Sequence, residues 1–217
     1  MTKQEVANRI REIGVVPVVR ASSAKQAMQA AEAVCAGGIP VVEITMTVPG
    51  AIEVIAQLSK NMGSEVLIGA GTVLDAETAK RCIAAGAEFI VSPGFDLDTV
   101  KFVNEASKLM MAGALTPSEV IAAWKSGSDF VKIFPCGSVG GAKYIKALKG
   151  PLPQIPMIPT GGVNLNTAAD FILAGAAALG IGGELVSAAA LDAGNTAPIV
   201  EAARNFFAIV RNARSAA

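Results

Sequence analysis

A lysine stands in the middle of an apolar run, Asp129-Phe130-Val131-Lys132-Ile133-Phe134-Pro135. The run reads as a short buried strand. Strand side chains alternate between faces, so Phe130, Lys132 and Phe134 share one side and Val131 and Ile133 the other. An amine held among apolar groups loses hydration, which disfavours its charged form. A neutral amine is a nucleophile that condenses with a carbonyl to give a Schiff base. A lysine near a strand end can instead snorkel to water, so its partners decide. Glu43 is the obvious one, an acid inside Val41-Val42-Glu43-Ile44-Thr45. Unpaired buried charges are costly, so Glu43 and Lys132 are expected to meet. The pair could merely brace the fold. Ion pairs are a weak source of stability and a usual device of active sites, which favours catalysis. Histidine is absent, so acid–base work falls to carboxylates, lysine, tyrosine, water or substrate groups.

Further polar residues end apolar runs. Arg20 shares a face with Val16 and Val18, Thr72 with Ile68 and Ala70, and Thr160 with Pro156 and Ile158. Arg20 suits a carboxylate ligand. The threonines are weaker signals, because threonine is also an ordinary strand residue. Gly161-Gly162 and Gly182-Gly183 follow the last two runs. Such pairs can frame a phosphate with backbone N–H groups at helix starts, or simply satisfy tight turns.

Eight strands are expected to carry these residues: Val15 to Arg20, Ile39 to Met46, Glu65 to Ala70, Glu88 to Ser92, a weak one from Leu109 to Ala112, Asp129 to Phe134, Ile155 to Pro159, and Ala178 to Ile181. Helices alternate with them. Ser22 or Ser23, Asp75, Asp96 and Asn164 are expected to cap helices. Thr116-Pro117-Ser118-Glu119 is a capping box with proline at the first helical position. A final amphipathic helix is expected from about Pro198 to Ala213, packed against the barrel's bottom, with apolar surface to spare for a subunit contact. The unit repeats roughly every 22 to 25 residues, which predicts an α/β fold, a (β/α)8 TIM barrel formed as a single domain over residues 1–217. An open doubly wound sheet is disfavoured, since no Gly-x-Gly-x-x-Gly follows the first strand. In such a barrel chemistry sits at the carboxyl ends of the strands, which gathers Arg20, Glu43, Thr72, Lys132 and Thr160 at one mouth.

Composition narrows the function classes. Eighteen basic and 18 acidic residues cancel, with no basic block to bind nucleic acid. The most apolar run, Phe171 to Gly183, is too short for a membrane span. The opening residues lack a signal peptide's apolar centre. Cys35, Cys82 and Cys136 are scattered and odd in number, which points to the reduced cytoplasm and away from a disulfide framework or a zinc site. Cys35 and Cys82 read as small core residues and Trp124 and Tyr144 as packing residues, while Cys136 lies near the lysine with nothing nearby to mark it as a nucleophile.

Several blocks together resemble the class I 2-keto-3-deoxy-6-phosphogluconate and 4-hydroxy-2-oxoglutarate aldolases. They are Val42-Glu43-Ile44-Thr45, Ile68-Gly69-Ala70-Gly71-Thr72, Val91-Ser92-Pro93-Gly94, Val131-Lys132-Ile133-Phe134-Pro135 and Pro159-Thr160-Gly161-Gly162-Val163. The resemblance implies reversible retro-aldol cleavage of a 2-keto-4-hydroxy acid to pyruvate and an aldehyde, with no metal or cofactor. It implies Lys132 as the Schiff-base lysine and Glu43 as the proton shuttle. Arg20, Thr72 and Thr160 would hold the pyruvyl end, and Pro93 and Phe134 would wall the lysine. Gly161, Gly162, Gly182 and Gly183 would frame the phosphate end. A homotrimer, or a larger assembly of trimers, is also implied. Three departures stand out. Glu184 replaces a serine that many relatives use at the phosphate, Thr47 stands where some carry arginine, and Ala112-Gly113 replaces Pro-Gly. A carboxylate at 184 would repel phosphate, which raises the non-phosphorylated 4-hydroxy-2-oxoglutarate as an alternative substrate. An isomerase on the same barrel, or a reused aldolase scaffold in an assembly, are further readings.

Overall fold

The structure is a computed structural model that describes residues 1–216. The chain opens with α1 (Lys3–Ile13), β1 (Val15–Val19), α2 (Ala24–Ala36), β2 (Val41–Thr45), α3 (Ala51–Met62) and β3 (Leu67–Gly71). It continues through α4 (Ala76–Ala84), β4 (Phe89–Val91), α5 (Leu97–Glu105), β5 (Leu109–Ala114), α6 (Pro117–Lys125) and β6 (Phe130–Ile133). It ends with α7 (Ala142–Lys149), β7 (Met157–Pro159), α8 (Ala168–Leu173), β8 (Leu179–Ile181), α9 (Ala188–Asp192) and α10 (Ala197–Ser215). The strands pair in parallel in the order β7-β6-β5-β4-β3-β2-β1-β8. A parallel bridge from Thr160 to Gly180 draws the last edges together, so the sheet forms the expected (β/α)8 barrel. Every strand residue is buried, as a parallel sheet covered by helices and filled within requires. Among the described residues no helix is long and apolar enough to cross a membrane.

Local chemistry explains most helix starts. Ser23, Asp75 and Asp96 each accept a hydrogen bond from the backbone N–H three residues on. Thr116 and Glu119 form the expected capping box, with Pro117 in the first turn. Asn164 does not cap α8. Its side chain accepts from the N–H groups of Asn166 and Thr167 in a preceding turn, and α8 starts later, after Thr167. The weak fifth strand is in fact six residues long, the longest of the eight. Its small residues, Ala112, Gly113 and Ala114, lower strand propensity, but burial on both faces overrides that.

Two helices differ from expectation. The opening residues form α1, where Thr2 and Glu5 make a second capping box. This helix lies at the amino ends of β5 and β6. Lys3 Nζ is 3.0 Å from Asp129 Oδ2, and the Arg11 guanidinium carbon is 4.7 Å from the Phe130 ring centre. Val6, Ala7 and Ile10 are buried beneath the barrel. The bottom is therefore occupied by α1, and α10 packs on the flank, against α8, α2 and α9. Arg214 of α10 ties the two, donating to the carbonyls of Glu12 and Ala177 at 2.9 Å each.

Candidate active site

Lys132 sits on β6 and Glu43 on β2, 4% and 2% exposed. Lys132 Nζ lies 3.9 Å from Glu43 Oε1. That is a charge contact, too long for a hydrogen bond. Oε1 has no hydrogen-bond partner among the described residues. Burial pushes the Glu43 carboxyl above the ordinary carboxylate range, and the positive charges of Lys132 and then Arg20 offset this only in part. Lys132 Nζ also stands 5.5 Å from the Phe134 ring centre, within cation–π reach. The Phe134–Pro135 peptide bond is cis. The expected pair has therefore formed in a site shielded from water.

Missing side chains make the room for it. Glu43 pairs across the sheet with Gly69, and two residues on lies Gly71. A Cβ on Gly71 would sit 2.5 Å from Glu43 Cδ and closer still to Oε1. A Cβ on Gly180 would overlap the Thr160 hydroxyl, and one on Gly113 would lie 2.5 Å from the amide nitrogen of Gly94. So a carboxylate, a hydroxyl and a peptide group each occupy a place that a strand residue leaves open. These three glycines were not singled out from the sequence as site residues. The signal was available, since glycine inside a strand often marks a close approach.

The other expected residues are placed as follows. Arg20 is exposed just past β1, its Nη1 3.2 Å from where a Cβ of Gly182 would be. Thr160 is buried at the end of β7. Pro93 and Phe134 are half-buried. Thr72 does not continue the alternation of Ile68 and Ala70. Its φ is 56°, a left-handed conformation that a β-branched residue rarely adopts, so the chain turns sharply after Gly71.

The glycine pairs do not sit at helix starts as expected. Gly161 and Gly162 have φ of 86° and 79°, well ahead of Ala168 where α8 begins. The Gly161 carbonyl accepts from the Gly137 N–H at 2.9 Å, and the Gly162 carbonyl from the Thr167 hydroxyl at 3.0 Å. Gly162 also lines a 650 Å³ groove with Gly137, Gly141, Lys143 and Thr167. Gly182, Gly183 and Glu184 form a turn before α9, closed by N–H groups of Leu185 and Val186 on the Gly182 carbonyl. Glu184 is exposed there. Thr47 is also exposed, with its hydroxyl 2.7 Å from that of Thr45. Thr45 gives its own proton to the Val19 carbonyl at 3.0 Å, which makes Thr47 the donor of the pair. Burial raises the Cys136 thiol to about 11, which keeps it unreactive.

The family model for KDPG and KHG aldolase matches residues 6–202. The KHG/KDPG aldolase of Escherichia coli K12 is 36% identical over 191 residues, 88% of this chain and 89% of that one. Among solved structures, the KDPG aldolase of Legionella pneumophila, with pyruvate captured at low pH as a covalent carbinolamine intermediate, superposes with a TM-score of 0.85. It is 31% identical and covers 91% of this chain and 96% of its own. A cube-shaped protein cage designed by fusing symmetric oligomeric domains superposes with a TM-score of 0.87 at 28% identity, over 94% of this chain and 74% of that one.

Proposed function

This chain belongs to the KDPG and KHG aldolase family and is a carbon–carbon lyase, and from that premise we propose a class I reaction on 2-keto-3-deoxy-6-phosphogluconate, run reversibly to pyruvate and glyceraldehyde 3-phosphate. The observation that carries it is the buried Lys132–Glu43 pair, 3.9 Å apart, on β6 and β2. Lys132 Nζ adds to the C2 carbonyl to give a carbinolamine. Glu43 protonates the departing hydroxyl, water leaves, and an iminium forms. A base then takes the C4 hydroxyl proton, the C3–C4 bond breaks, and its electron pair moves through C3 and C2 to the iminium nitrogen. The aldehyde departs and an enamine remains. Protonation at C3 and hydrolysis return pyruvate and free Lys132. A carboxyl whose pKa burial raises, with Oε1 unbonded, can both give and take these protons.

Arg20 binds the pyruvyl carboxylate with Thr72 and Thr160, and Pro93 and Phe134 keep water from the amine. Gly161, Gly162, Gly182 and Gly183 receive the phosphate end. A second reading is the non-phosphorylated 4-hydroxy-2-oxoglutarate. Glu184 supports it by placing a carboxylate on the Gly182-Gly183 turn, and Thr47 adds a neutral hydroxyl at the mouth rather than a cation. The two substrates are separated by their kcat/KM ratio. The three cysteines, all unpaired, support a cytoplasmic location. The likeness to a cage of symmetric oligomeric domains supports a symmetric assembly, and we take the trimer as its form.

Borohydride reduction with pyruvate, followed by peptide mass spectrometry, tests the chemistry. A pyruvyl adduct on Lys132 that disappears in Lys132→Ala is expected. A folded wild-type sample with no adduct on any lysine would overturn the imine mechanism.

A further inference from the structure

We propose that Ser92 is a positioning residue for the amine chemistry of Lys132, an inference that rests on the imine reading above. Ser92 follows the last residue of β4 and is 2% exposed. Its hydroxyl donates to the Gly94 carbonyl at 2.6 Å and accepts from the Gly113 N–H at 3.3 Å. Its own N–H donates to the Met111 carbonyl at 3.2 Å. One buried hydroxyl thus ties the Pro93-Gly94 turn to β5.

The tie matters because of what β5 faces. Gly113 pairs directly with Lys132 on β6. Neighbouring strands lie about 4.8 Å apart, so directly paired residues project side by side. A Cβ on Gly113 would lie 2.5 Å from the Gly94 nitrogen and would overlap the Pro93 carbonyl. The Pro93–Gly94 peptide therefore fills the place of the side chain that would stand next to the Lys132 stem. Gly113 opens that place, and Ser92 holds the peptide in it from the other side. Without the hydroxyl, the Gly94 carbonyl and the Gly113 N–H lose their shared partner and the turn is free to shift. The wall along Lys132 then moves, and with it the direction from which the amine meets a carbonyl. Ser92 touches none of the reacting atoms and acts through this peptide alone.

The test compares Ser92→Ala, Ser92→Thr, Gly113→Ala and the Ser92→Ala/Gly113→Ala double variant, each with its melting temperature and its kcat and KM for cleavage. In Ser92→Ala, kcat is expected to fall on the order of ten- to a hundredfold, as misplacement of a reacting group by about 1 Å does. KM should stay within about threefold, because the groups that grip the substrate's ends are untouched. Ser92→Thr, which keeps the hydroxyl, should recover most of kcat. The double variant should lose less than the product of the two single losses, because both act on one peptide. A Ser92→Ala protein with a lower melting temperature but wild-type kcat and KM would reduce Ser92 to a structural role and overturn the proposal. If Ser92→Ala does not fold, Gly113→Ala decides by the same split. Absence of a pyruvyl adduct on wild-type Lys132 would instead overturn the imine reading, so the two failures are distinct.

Discussion

Ionising Glu43 inside the fold leaves a carboxylate oxygen beside Lys132 with no hydrogen bond among the described residues. Burial raises its pKa above the ordinary 4.5, so the folded protein holds this proton more tightly than the unfolded chain does. The resulting stabilisation is complete below pH 4.5 and is lost as pH rises through the raised value. Glu43→Gln lacks this titration. Its melting temperature should therefore gain on the wild type's as pH climbs, by about 2–4 °C for each kcal/mol in a chain of this size. Thermal melts over a pH series check this, and parallel curves for the two proteins would refute it. Gly71→Ala makes a second prediction. The added methyl would claim the space of the Glu43 carboxyl, and kcat should fall by about a hundredfold. Wild-type kcat in that variant would mean the carboxyl works equally well elsewhere. Lys132 and Glu43 were legible in the sequence because charges inside apolar runs are conspicuous and costly. The alternation that groups Thr72 with Ile68 and Ala70 assumes an extended backbone, and its φ of 56° breaks that assumption. Gly71 was not recognised as a site residue because the group it accommodates comes from another strand.

At the scale of elements, α1 bears on stability and not on chemistry. Ile10 is fully buried under the barrel, at the end opposite the site. Ile10→Ala should cost about 2–5 kcal/mol of stability, read by denaturant unfolding, while kcat of the folded protein stays at the wild-type value. A loss of kcat without a loss of stability would mean that the bottom of the barrel is coupled to the mouth. The α6 capping box offers a smaller test. Thr116→Ala should cost about 1 kcal/mol, since it leaves the Glu119 N–H without its partner. That box was read correctly because it is local, confined to four adjacent residues. The box at Thr2 and Glu5 has the same spacing and is local in the same way. The flank position of α10 depends on α8, α2 and α9, which no local pattern in α10 reveals.

For the whole molecule, a trimer is expected, with sedimentation giving three times the chain mass. A monomer active at the same kcat would remove any need for assembly in catalysis. The sequence by itself determined the repeating strand–helix period and hence the barrel, the amine and acid that could do imine chemistry, and most helix caps. These are properties of spacing and residue type, carried by short stretches of chain. Only the tertiary structure decided the 3.9 Å separation of Lys132 and Glu43 and the burial that raises the carboxyl's pKa. It also decided which glycine makes room for which group, and that Ser92 holds the Pro93-Gly94 turn beside Lys132. Those depend on strand register and close packing between segments far apart in the chain. A gap in one strand acquires meaning only from the group that another strand or loop places in it.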